Sequence, residues 1–326
     1  MLYTHLGRTG LIVSRLCLGT MNFGPATSKE TSFQIMDTAI DLGINFFDTA
    51  NVYGNSGDTE SIIGEWFSLG DGRREKIVLA TKVYGGSAEG WYGWPKDWPN
   101  ANKLSAKHII SACNDSLKRL KTDYIDLYQM HHIDRNTPWE EIWQAMELLI
   151  AQGKVLYIGS SNFAGWHIAR ANENAKKRNF MGLVSEQSLY NLTQRSVELE
   201  VLPSCKEYGL GFIPWSPLAG GALAGKPPDD AKSRRKSYGE IYNKFGDQLD
   251  EYFSICQEYS IQPSQLSLSW LLHNPVVTAP IIGPRTVSQL EESLIAIEYE
   301  IEEDLMKKLE KIWPGPGGPA PEAYSW

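Results

Sequence analysis

Short apolar segments alternate with amphipathic helical patterns along almost the whole chain. The apolar segments begin near Leu16, Phe46, Ile77, Ile125, Tyr157, Gly182, Gly211 and Thr278. Most of these starts lie about 25 to 32 residues apart, which is the spacing expected when each strand is followed by one helix. Eight such units close into a barrel, so the sequence predicts an α/β protein with the (β/α)8 TIM-barrel fold.

Several of the predicted helices carry start signals. Thr137 followed by Pro138 predicts a helix with a capping threonine and a proline in its first turn. Ser105 predicts the cap of a second helix. Ser264 predicts the cap of a third helix, which Pro275 would end.

Two strand-to-helix connections are longer than the others. Residues 83–103 separate the third strand from the fourth, and residues 219–246 separate the seventh from the eighth. Both connections follow strands, so they belong to the rim of the barrel that carries catalytic groups. Loops of this length are usually functional or disordered, and we expect both to border the site.

The two ends of the chain lie outside the repeating pattern. Residues 2–6 and 11–13 predict a β-hairpin that covers the opposite mouth of the barrel. Residues 314–326 are rich in proline and glycine and predict an extended C-terminal tail. Because no low-complexity linker interrupts the chain, residues 1–326 are predicted to form a single domain.

Composition and charge argue against several classes of protein. The chain has 326 residues, a formal net charge of −8 and a pI of about 5.4, whereas a sequence-independent nucleic-acid binder needs a basic face. No apolar run is long enough to cross a membrane, and the first residues lack the features of a signal peptide. The four cysteines are scattered without the spacing of a metal site. These observations predict a cytoplasmic protein that binds no nucleic acid, membrane or metal.

Polar residues stand where three of the predicted strands end. Asp48 ends the second strand, Lys82 follows the third and His131 follows the fourth. Tyr53 lies five residues beyond Asp48. The carboxyl ends of parallel strands converge on one pocket, so we expect these four side chains to meet. Each of them alone is frequently structural, but four of them grouped at three successive strand ends indicate a catalytic site.

The four side chains suit the protonation of a carbonyl oxygen. An ammonium group beside Tyr53 lowers the pKa of its phenol, and Asp48 would keep Lys82 charged. A histidine can hydrogen-bond an oxygen that is held beside the tyrosine. Either His131 or His132 could face the pocket, because neighbouring side chains in a strand point in opposite directions. Hydride transfer needs a cofactor, since side chains cannot supply a hydride.

These motifs resemble the ordered signatures of the aldo-keto reductase superfamily. The resembling segments are residues 43–54, 80–82, 123–131, 158–163 and 282–292. The resemblance extends from Leu6 to about Trp313. It is closest to the long-loop subgroup, which includes potassium-channel β-subunit-like proteins and bacterial sugar-ketone reductases. Residues 215–218 and 321–324 resemble the same subgroup.

The resemblance implies a (β/α)8 barrel that reduces an aldehyde or ketone to an alcohol with NADPH. It implies Tyr53 as the general acid, tuned by Asp48 and Lys82. It also implies that His131, rather than His132, orients the carbonyl group. Two other interpretations stay open, namely a cofactor-sensing regulatory subunit and a reductase of a carbon–carbon double bond next to a carbonyl.

The resemblance further implies which residues bind NADPH or NADP+. The implied cofactor contacts are Gly19, Thr20, Met21, Asp48, Ser161, Asn162, Gln187, Trp215, Ser216, Pro217, Leu218, Gly220, Gly221, Lys226, Gly283, Arg285, Gln289 and Glu292. Trp215 would stack on the nicotinamide ring. The carboxamide of that ring would be bound by Ser161, Asn162 and Gln187.

NADP+ is favoured over NAD+ because its extra 2′-phosphate needs a local cation in a protein of net negative charge. Arg285 is the expected cation. The basic run at residues 234–236, formed by Arg234, Arg235 and Lys236, is either a second phosphate contact or a solvent-exposed surface. No GxGxxG sequence follows the first strand, which argues against a Rossmann-type site.

The substrate side of the site is predicted from aromatic residues in the first long connection. Trp91 and Trp94 lie within residues 83–103 and would form a wall beside Tyr53 and His131. A carbonyl compound of moderate size, such as a modified sugar or another ring, would suit this wall. The aromatic rings could instead hold the loop in place. The predicted partner is a small-molecule carbonyl substrate, and the chain is expected to be a monomer or a homo-oligomer.

Overall fold

The structure is a computed structural model that describes residues 1–85, 99–226 and 232–325 of the chain. Two short antiparallel strands, β1 (Tyr3–His5) and β2 (Ile12–Ser14), pair at the amino-terminal end. This pairing confirms the hairpin that the sequence predicts ahead of the barrel.

Eight parallel strands in the described part of the chain form the barrel. They are β3 (Cys17–Gly19), β4 (Phe46–Asp48), β5 (Val78–Val83), β6 (Ile125–Met130), β7 (Val155–Ser161), β8 (Leu183–Gln187), β9 (Gly211–Phe212) and β10 (Ile281–Ile282). Strands β3 to β9 follow one another in order, and β10 pairs with β3. The ring closes through a bridge between Phe212 and Val277. The predicted (β/α)8 fold is confirmed.

Helices cover the outside of the barrel, as parallel strand neighbours require. Among the described residues they are α1 (Lys29–Asp41), α2 (Tyr53–Ser56), α3 (Asp58–Phe67), α4 (Ala106–Leu120), α5 (Trp139–Ala151), α6 (Gly165–Lys177), α7 (Val197–Tyr208), α8 (Lys232–Glu258), α9 (Pro263–His273), α10 (Val287–Leu294), α11 (Glu303–Ile312) and α12 (Glu322–Ser325). Two 3-10 helices lie at Ala219–Ala224 and Ile295–Ile297.

One of the three predicted helix caps is confirmed, and two are wrong. The side chain of Ser105 caps α4 by accepting a backbone hydrogen bond. Thr137 instead donates to an aspartate, and α5 begins after Pro138 without a side-chain cap. Helix α9 begins at Pro263, so Ser264 lies inside its first turn. Pro263 occupies the first position of α9, where its fixed φ suits a helix, whereas Pro138 is the extended residue just before α5.

The seventh connection contains more helix than the sequence predicts. Instead of a long loop over residues 219–246, its described residues form the 3-10 helix and the first half of α8. Helix α8 changes direction at Phe245, which has a non-helical φ of −135°. Tyr238, Ile241, Tyr242 and Phe245 recur at helical spacing and pack against the core, a signal for a helix that the predicted loop overlooks.

The core has two layers. Inside the barrel, Leu6 and Val13 from the hairpin region are fully buried in one cluster with Phe46 and Leu127. The hairpin therefore closes one mouth of the barrel, as predicted. The second layer lies between strands and helices and includes the fully buried Trp66. Each large apolar side chain buried in these layers stabilises the fold by about 1.5–3 kcal/mol, which keeps the strand ends in fixed positions.

The C-terminal tail packs on the outside of the barrel. The Ala320 amide donates to the Leu199 carbonyl at 2.9 Å, and Arg195 donates to the Trp313 carbonyl at 2.8 Å. The tail then ends in the short helix α12, where the sequence predicts an extended segment.

Candidate active site

A cavity of about 570 Å³ opens at the carboxyl ends of the barrel strands, within the size range of small-molecule sites. The predicted cofactor residues that line it are Gly19, Thr20, Met21, Asp48, Ser161, Asn162, Gln187, Trp215, Ser216, Pro217, Leu218, Gly220, Gly221, Gly283, Arg285 and Gln289. Tyr53 and His131 line it as well. Lys226 and Glu292 are exposed and lie outside the described lining.

Lys82 lies at the end of β5 and joins the polar groups at the floor of the cavity. Its side chain is fully buried. The ammonium donates to Asp48 Oδ2 at 2.6 Å, to the Tyr53 hydroxyl oxygen at 3.0 Å and to the Thr49 carbonyl at 3.0 Å. An ammonium has three donors, so each finds an acceptor here. Because the tyrosine oxygen accepts from the lysine, its own O–H can donate to a ligand in the cavity.

The backbone after β4 places Tyr53 beside these groups. Tyr53 opens α2, and Gly54 follows it with a φ of 71°. A Cβ on Gly54 would lie 2.8 Å from the Cβ of Asp58. Glycine therefore permits the turn that brings the tyrosine ring back over the strand ends.

Burial and charge shift the pKa values of these groups in opposite directions. Burial raises the pKa of Tyr53, and the charge of Lys82 lowers it by less, so the net pKa is above its ordinary value. The lowered pKa that the sequence predicts is therefore wrong for the chain alone, although Lys82 acts in the predicted direction. Burial lowers the pKa of Lys82, but the charges and hydrogen bonds of Asp48 and Tyr53 raise it above its ordinary value. At neutral pH the phenol is neutral and the lysine is charged.

Two glutamines hold the second oxygen of Asp48. Its Oδ1 accepts from Gln129 Nε2 at 3.0 Å and from Gln187 Nε2 at 2.8 Å. Gln187 also donates to Gln129 Oε1 at 3.3 Å. The carboxylate is thus fixed by side chains from β5, β6 and β8.

His131, rather than His132, faces the cavity. His131 is only 4% exposed, and its ring centroid lies 6.1 Å from that of Tyr53. The ring of His132 packs against Tyr84 at 5.4 Å. Burial and then the charge of Lys82 hold the pKa of His131 well below its usual value. A neutral imidazole carries one N–H that can donate to a ligand.

Asn162 links Trp215 to the backbone of His131. The Trp215 indole donates to Asn162 Oδ1 at 3.0 Å, and Asn162 Nδ2 donates to the His131 carbonyl at 3.2 Å. Asn162 has a φ of 60°, and Ser216 has a φ of 54°. Non-glycine residues in this left-handed region cost about 1–3 kcal/mol each and cluster at ligand sites. The geometry therefore supports this wall of the cavity as a binding surface.

The start of the seventh connection exposes backbone to the cavity. Gly220 and Gly221 have φ values of 65° and 98°, which favour glycine. The Gly220 amide donates to Ser216 Oγ at 3.2 Å. Backbone without side chains allows a phosphate group to approach closely.

Arg285 is the only lysine or arginine among the described residues that line the cavity. Its backbone amide donates to Gln289 Oε1 at 2.9 Å. Thr286 caps α10 by accepting from the Gln289 amide at 3.3 Å. The arginine thus stands directly before a helix N-terminus, where amide groups and the helix dipole favour an anion.

Some predicted contacts fall elsewhere. Trp91 and Trp94 lie outside the described residues. The side chains in the basic run at residues 234–236 also lie outside the described part. No helix in the described ranges is long and apolar enough to cross a membrane. In the same ranges, no group of three or more His, Cys, Asp or Glu residues is arranged to hold a metal ion.

Sequence reasoning missed four residues at the site. Asn22, Ile281 and Ile282 line the cavity, and Asn22 Nδ2 donates to the Gly283 carbonyl at 3.0 Å. Gln129 contacts Asp48 from the barrel interior. A polar residue two positions before His131 on a buried strand is a usable signal for Gln129. The two isoleucines are indistinguishable from core residues in the sequence.

Comparison with known proteins indicates the family to which this sequence is similar. A sequence profile described as the aldo/keto reductase family matches residues 15–314. An uncharacterized oxidoreductase, YrpG of Bacillus subtilis (strain 168), is 54% identical over 99% of this chain and 99% of the relative. A putative voltage-gated potassium channel subunit beta of Schizosaccharomyces pombe is 35% identical over 95% of this chain and 92% of the relative. A putative aryl-alcohol dehydrogenase, AAD16 of Saccharomyces cerevisiae, is 32% identical over 94% of this chain and 95% of the relative.

Proposed function

The chain belongs to the aldo/keto reductase family of oxidoreductases, and on this premise we propose that it reduces an aldehyde or ketone to an alcohol with NADPH. The observation that carries the proposal is the contact between the buried ammonium of Lys82 and the hydroxyl oxygen of Tyr53, 3.0 Å apart at the floor of the cavity. In this arrangement the Tyr53 hydroxyl, a proton donor, borders the space that a carbonyl oxygen would occupy, and the charge of Lys82 stands next to the hydroxyl.

Tyr53 acts as the general acid. It is neutral, lines the cavity and uses its oxygen rather than its proton in the bond with Lys82. Its proton passes to the carbonyl oxygen as negative charge develops there. The ammonium of Lys82 then stabilises the phenolate that is left, and Asp48 keeps that ammonium charged.

His131 orients the substrate. Its low pKa keeps the imidazole neutral, so its N–H can donate to the same carbonyl oxygen that Tyr53 protonates. Two donors on one oxygen fix the direction of the carbonyl group. Bound NADPH would supply the hydride that the carbonyl carbon receives.

The residues around the cavity fit a nicotinamide dinucleotide. Trp215 offers a flat aromatic face, and Ser161 and Gln187 offer hydroxyl and amide groups for a carboxamide. The glycines at the start of the seventh connection leave room for a pyrophosphate. Arg285 is the only lysine or arginine among the described residues that line the cavity. It supports NADPH over NADH because a 2′-phosphate pairs well with a guanidinium.

The proposed substrate is an aldehyde or ketone of moderate size, with sugars and other rings as the main candidates. The aromatic residues Trp91 and Trp94 in the sequence support a flat substrate. One relative is named a putative aryl-alcohol dehydrogenase, which agrees with a ring-containing carbonyl or alcohol.

A direct test follows NADPH consumption by absorbance with purified protein. The panel contains aromatic aldehydes, aliphatic aldehydes, sugar ketones and enones. The Tyr53→Phe variant should lose at least about 100-fold in kcat, because general acid catalysis contributes roughly 100- to 10,000-fold. Its affinity for NADPH should not change. The matched control is Tyr84→Phe, which removes the hydroxyl of a nearby tyrosine that packs on His132.

Three results would contradict the proposal. Full activity in Tyr53→Phe would reject the assigned acid. NADPH binding without turnover of any carbonyl would favour a cofactor-sensing regulatory subunit. Saturated carbonyl products from the enones, with no alcohol formed, would favour reduction of the carbon–carbon double bond.

A further inference from the structure

Gln129 contacts Asp48, the carboxylate that holds Lys82, but takes no part in the reaction described above. Strand β6 places it two residues before His131, and its side chain is fully buried. Its Nε2 donates to Asp48 Oδ1 at 3.0 Å, and its Oε1 accepts from Gln187 Nε2 at 3.3 Å. The amide of Gln129 therefore connects Asp48, which holds Lys82, with Gln187, which lines the cavity proposed to bind the cofactor.

The neighbouring strand leaves space for this amide. Gly159 of β7 pairs with Gln129 in the sheet. A Cβ on Gly159 would clash first with Ser185 Oγ, and would lie 3.1 Å from Gln129 Cγ and 3.2 Å from Leu127 Cδ1. Any larger residue would therefore crowd the glutamine. A buried amide is costly unless it is hydrogen-bonded, and this one has partners for both its oxygen and its nitrogen.

The two bonds of Gln129 have separate consequences. The N–H group of Gln129 points the positive end of its dipole at Asp48 Oδ1, so this bond offsets part of the negative charge near Tyr53. Gln187 donates to Gln129 Oε1 through its amide NH2 group, which also donates to Asp48. The carbonyl oxygen of Gln187 is then the atom left to accept a bond from a ligand.

We propose that Gln129 is a positioning residue that couples the proton donor to the cofactor site. Gln129 fixes the amide of Gln187 in the orientation that presents the Gln187 oxygen to the cavity. It also weakens the electrostatic effect of the Asp48 carboxylate on Tyr53. This inference rests on the carbonyl reduction proposed above.

The Gln129→Met variant removes both bonds while keeping a side chain of similar length. We expect the Kd for NADP+ to rise about fivefold, the effect of about one lost hydrogen bond. The pH at which alcohol oxidation reaches half its maximal rate should rise by about half a pH unit, because more of the Asp48 charge then opposes formation of the phenolate. The matched control is Ser185→Ala. Ser185 is fully buried on β8, and its Oγ has no partner among the described residues, so neither quantity should change.

A second variant separates positioning from simple packing. In Gln129→Glu, the new carboxyl group stands beside Asp48 and retains its proton at low pH, because two neighbouring carboxylates resist double ionisation. In that form it can donate to Asp48 and accept from Gln187, as the amide does. The affinity of the Gln129→Glu variant for NADP+ should match that of the wild type at low pH and fall below it as pH rises. A purely structural role predicts losses that do not depend on pH.

The outcomes are distinct. An unchanged Kd and pH profile in Gln129→Met would overturn the inference. If that variant does not fold, a pH-independent affinity in Gln129→Glu would overturn it equally. Wild-type protein that turns over no carbonyl would reject the proposed function, whereas NADP+ affinities measured by tryptophan fluorescence would still test the role of Gln129.

Discussion

Glu186 provides a quantitative test of the electrostatics of the barrel. It is fully buried on β8, directly before Gln187. Its carboxylate accepts hydrogen bonds from Ser160, from Ser188 Oγ at 2.6 Å and from the Phe163 amide at 3.1 Å. In the described chain it has no salt bridge with a lysine or arginine. Burial outweighs the hydrogen bonds that Glu186 accepts and raises its pKa from 4.5 to about 7.

The sign of the resulting pH dependence follows from proton uptake. Between pH 4.5 and about 7 the folded protein keeps a proton on Glu186 that the unfolded chain releases, so folding stability falls as pH rises through this interval. At about 1.36 kcal/mol per pH unit, the interval corresponds to a loss of about 3 kcal/mol. The Glu186→Gln variant keeps a neutral side chain at every pH and avoids this loss.

The assay is urea denaturation of wild type and variant at pH 5 and pH 8. We expect Glu186→Gln to be more stable than the wild type by less than about 1 kcal/mol at pH 5 and by about 3 kcal/mol at pH 8. The control, Glu65→Gln, removes an exposed carboxylate that pairs with Lys29 and should change stability by less than about 1 kcal/mol at both pH values. A Glu186→Gln advantage that does not grow with pH would refute the reasoning.

Three further predictions concern buried or cofactor-facing cations. Lys82→Met should lower kcat at least about 100-fold and reduce the free energy of unfolding by about 3–5 kcal/mol, because the buried Asp48 loses its cation; steady-state kinetics and denaturation measure both. Arg285→Ala should weaken NADPH binding about tenfold and leave NADH binding unchanged, as titration of each cofactor would show. Arg119→Met should cost about 3 kcal/mol of stability without loss of activity, since it leaves the fully buried Glu60 without its ion pair; normal stability in this variant would contradict the assigned contact.

The part of the site that the sequence predicts rests on local signals. Asp48 and His131 are polar residues at the ends of apolar strands, and one barrel topology brings such ends together. The choice between His131 and His132 needed the structure or the family resemblance, because strand alternation does not say which of two neighbours faces inward. Polar residues at strand ends therefore indicate which positions belong to the site, but not which way their side chains point.

Other features depend on distances that the sequence does not contain. The net pKa of Tyr53 is a balance between burial and the charge of Lys82, and only the fold determines which is larger. Gln129 and Glu186 are polar residues within buried strands, and most of their partners come from other parts of the chain. In the first half of α8 the apolar residues at helical spacing begin only at Tyr238, after a polar and basic run, so the pattern indicates a helix over part of this segment only.

Preorganisation explains why the site is built from so many strands. Asp48 lies on β4 and receives hydrogen bonds from Lys82 on β5, Gln129 on β6 and Gln187 on β8. Each donor is held by a different part of the closed sheet, so the carboxylate cannot rotate without breaking contacts across the barrel. A donor fixed before the reaction costs no reorganisation when charge develops. For this reason, loosening any one donor should reduce kcat more than it weakens binding of the carbonyl substrate, whose proposed contacts are Tyr53 and His131. Steady-state kinetics that separate kcat from KM would test this, and a change in KM alone would contradict it.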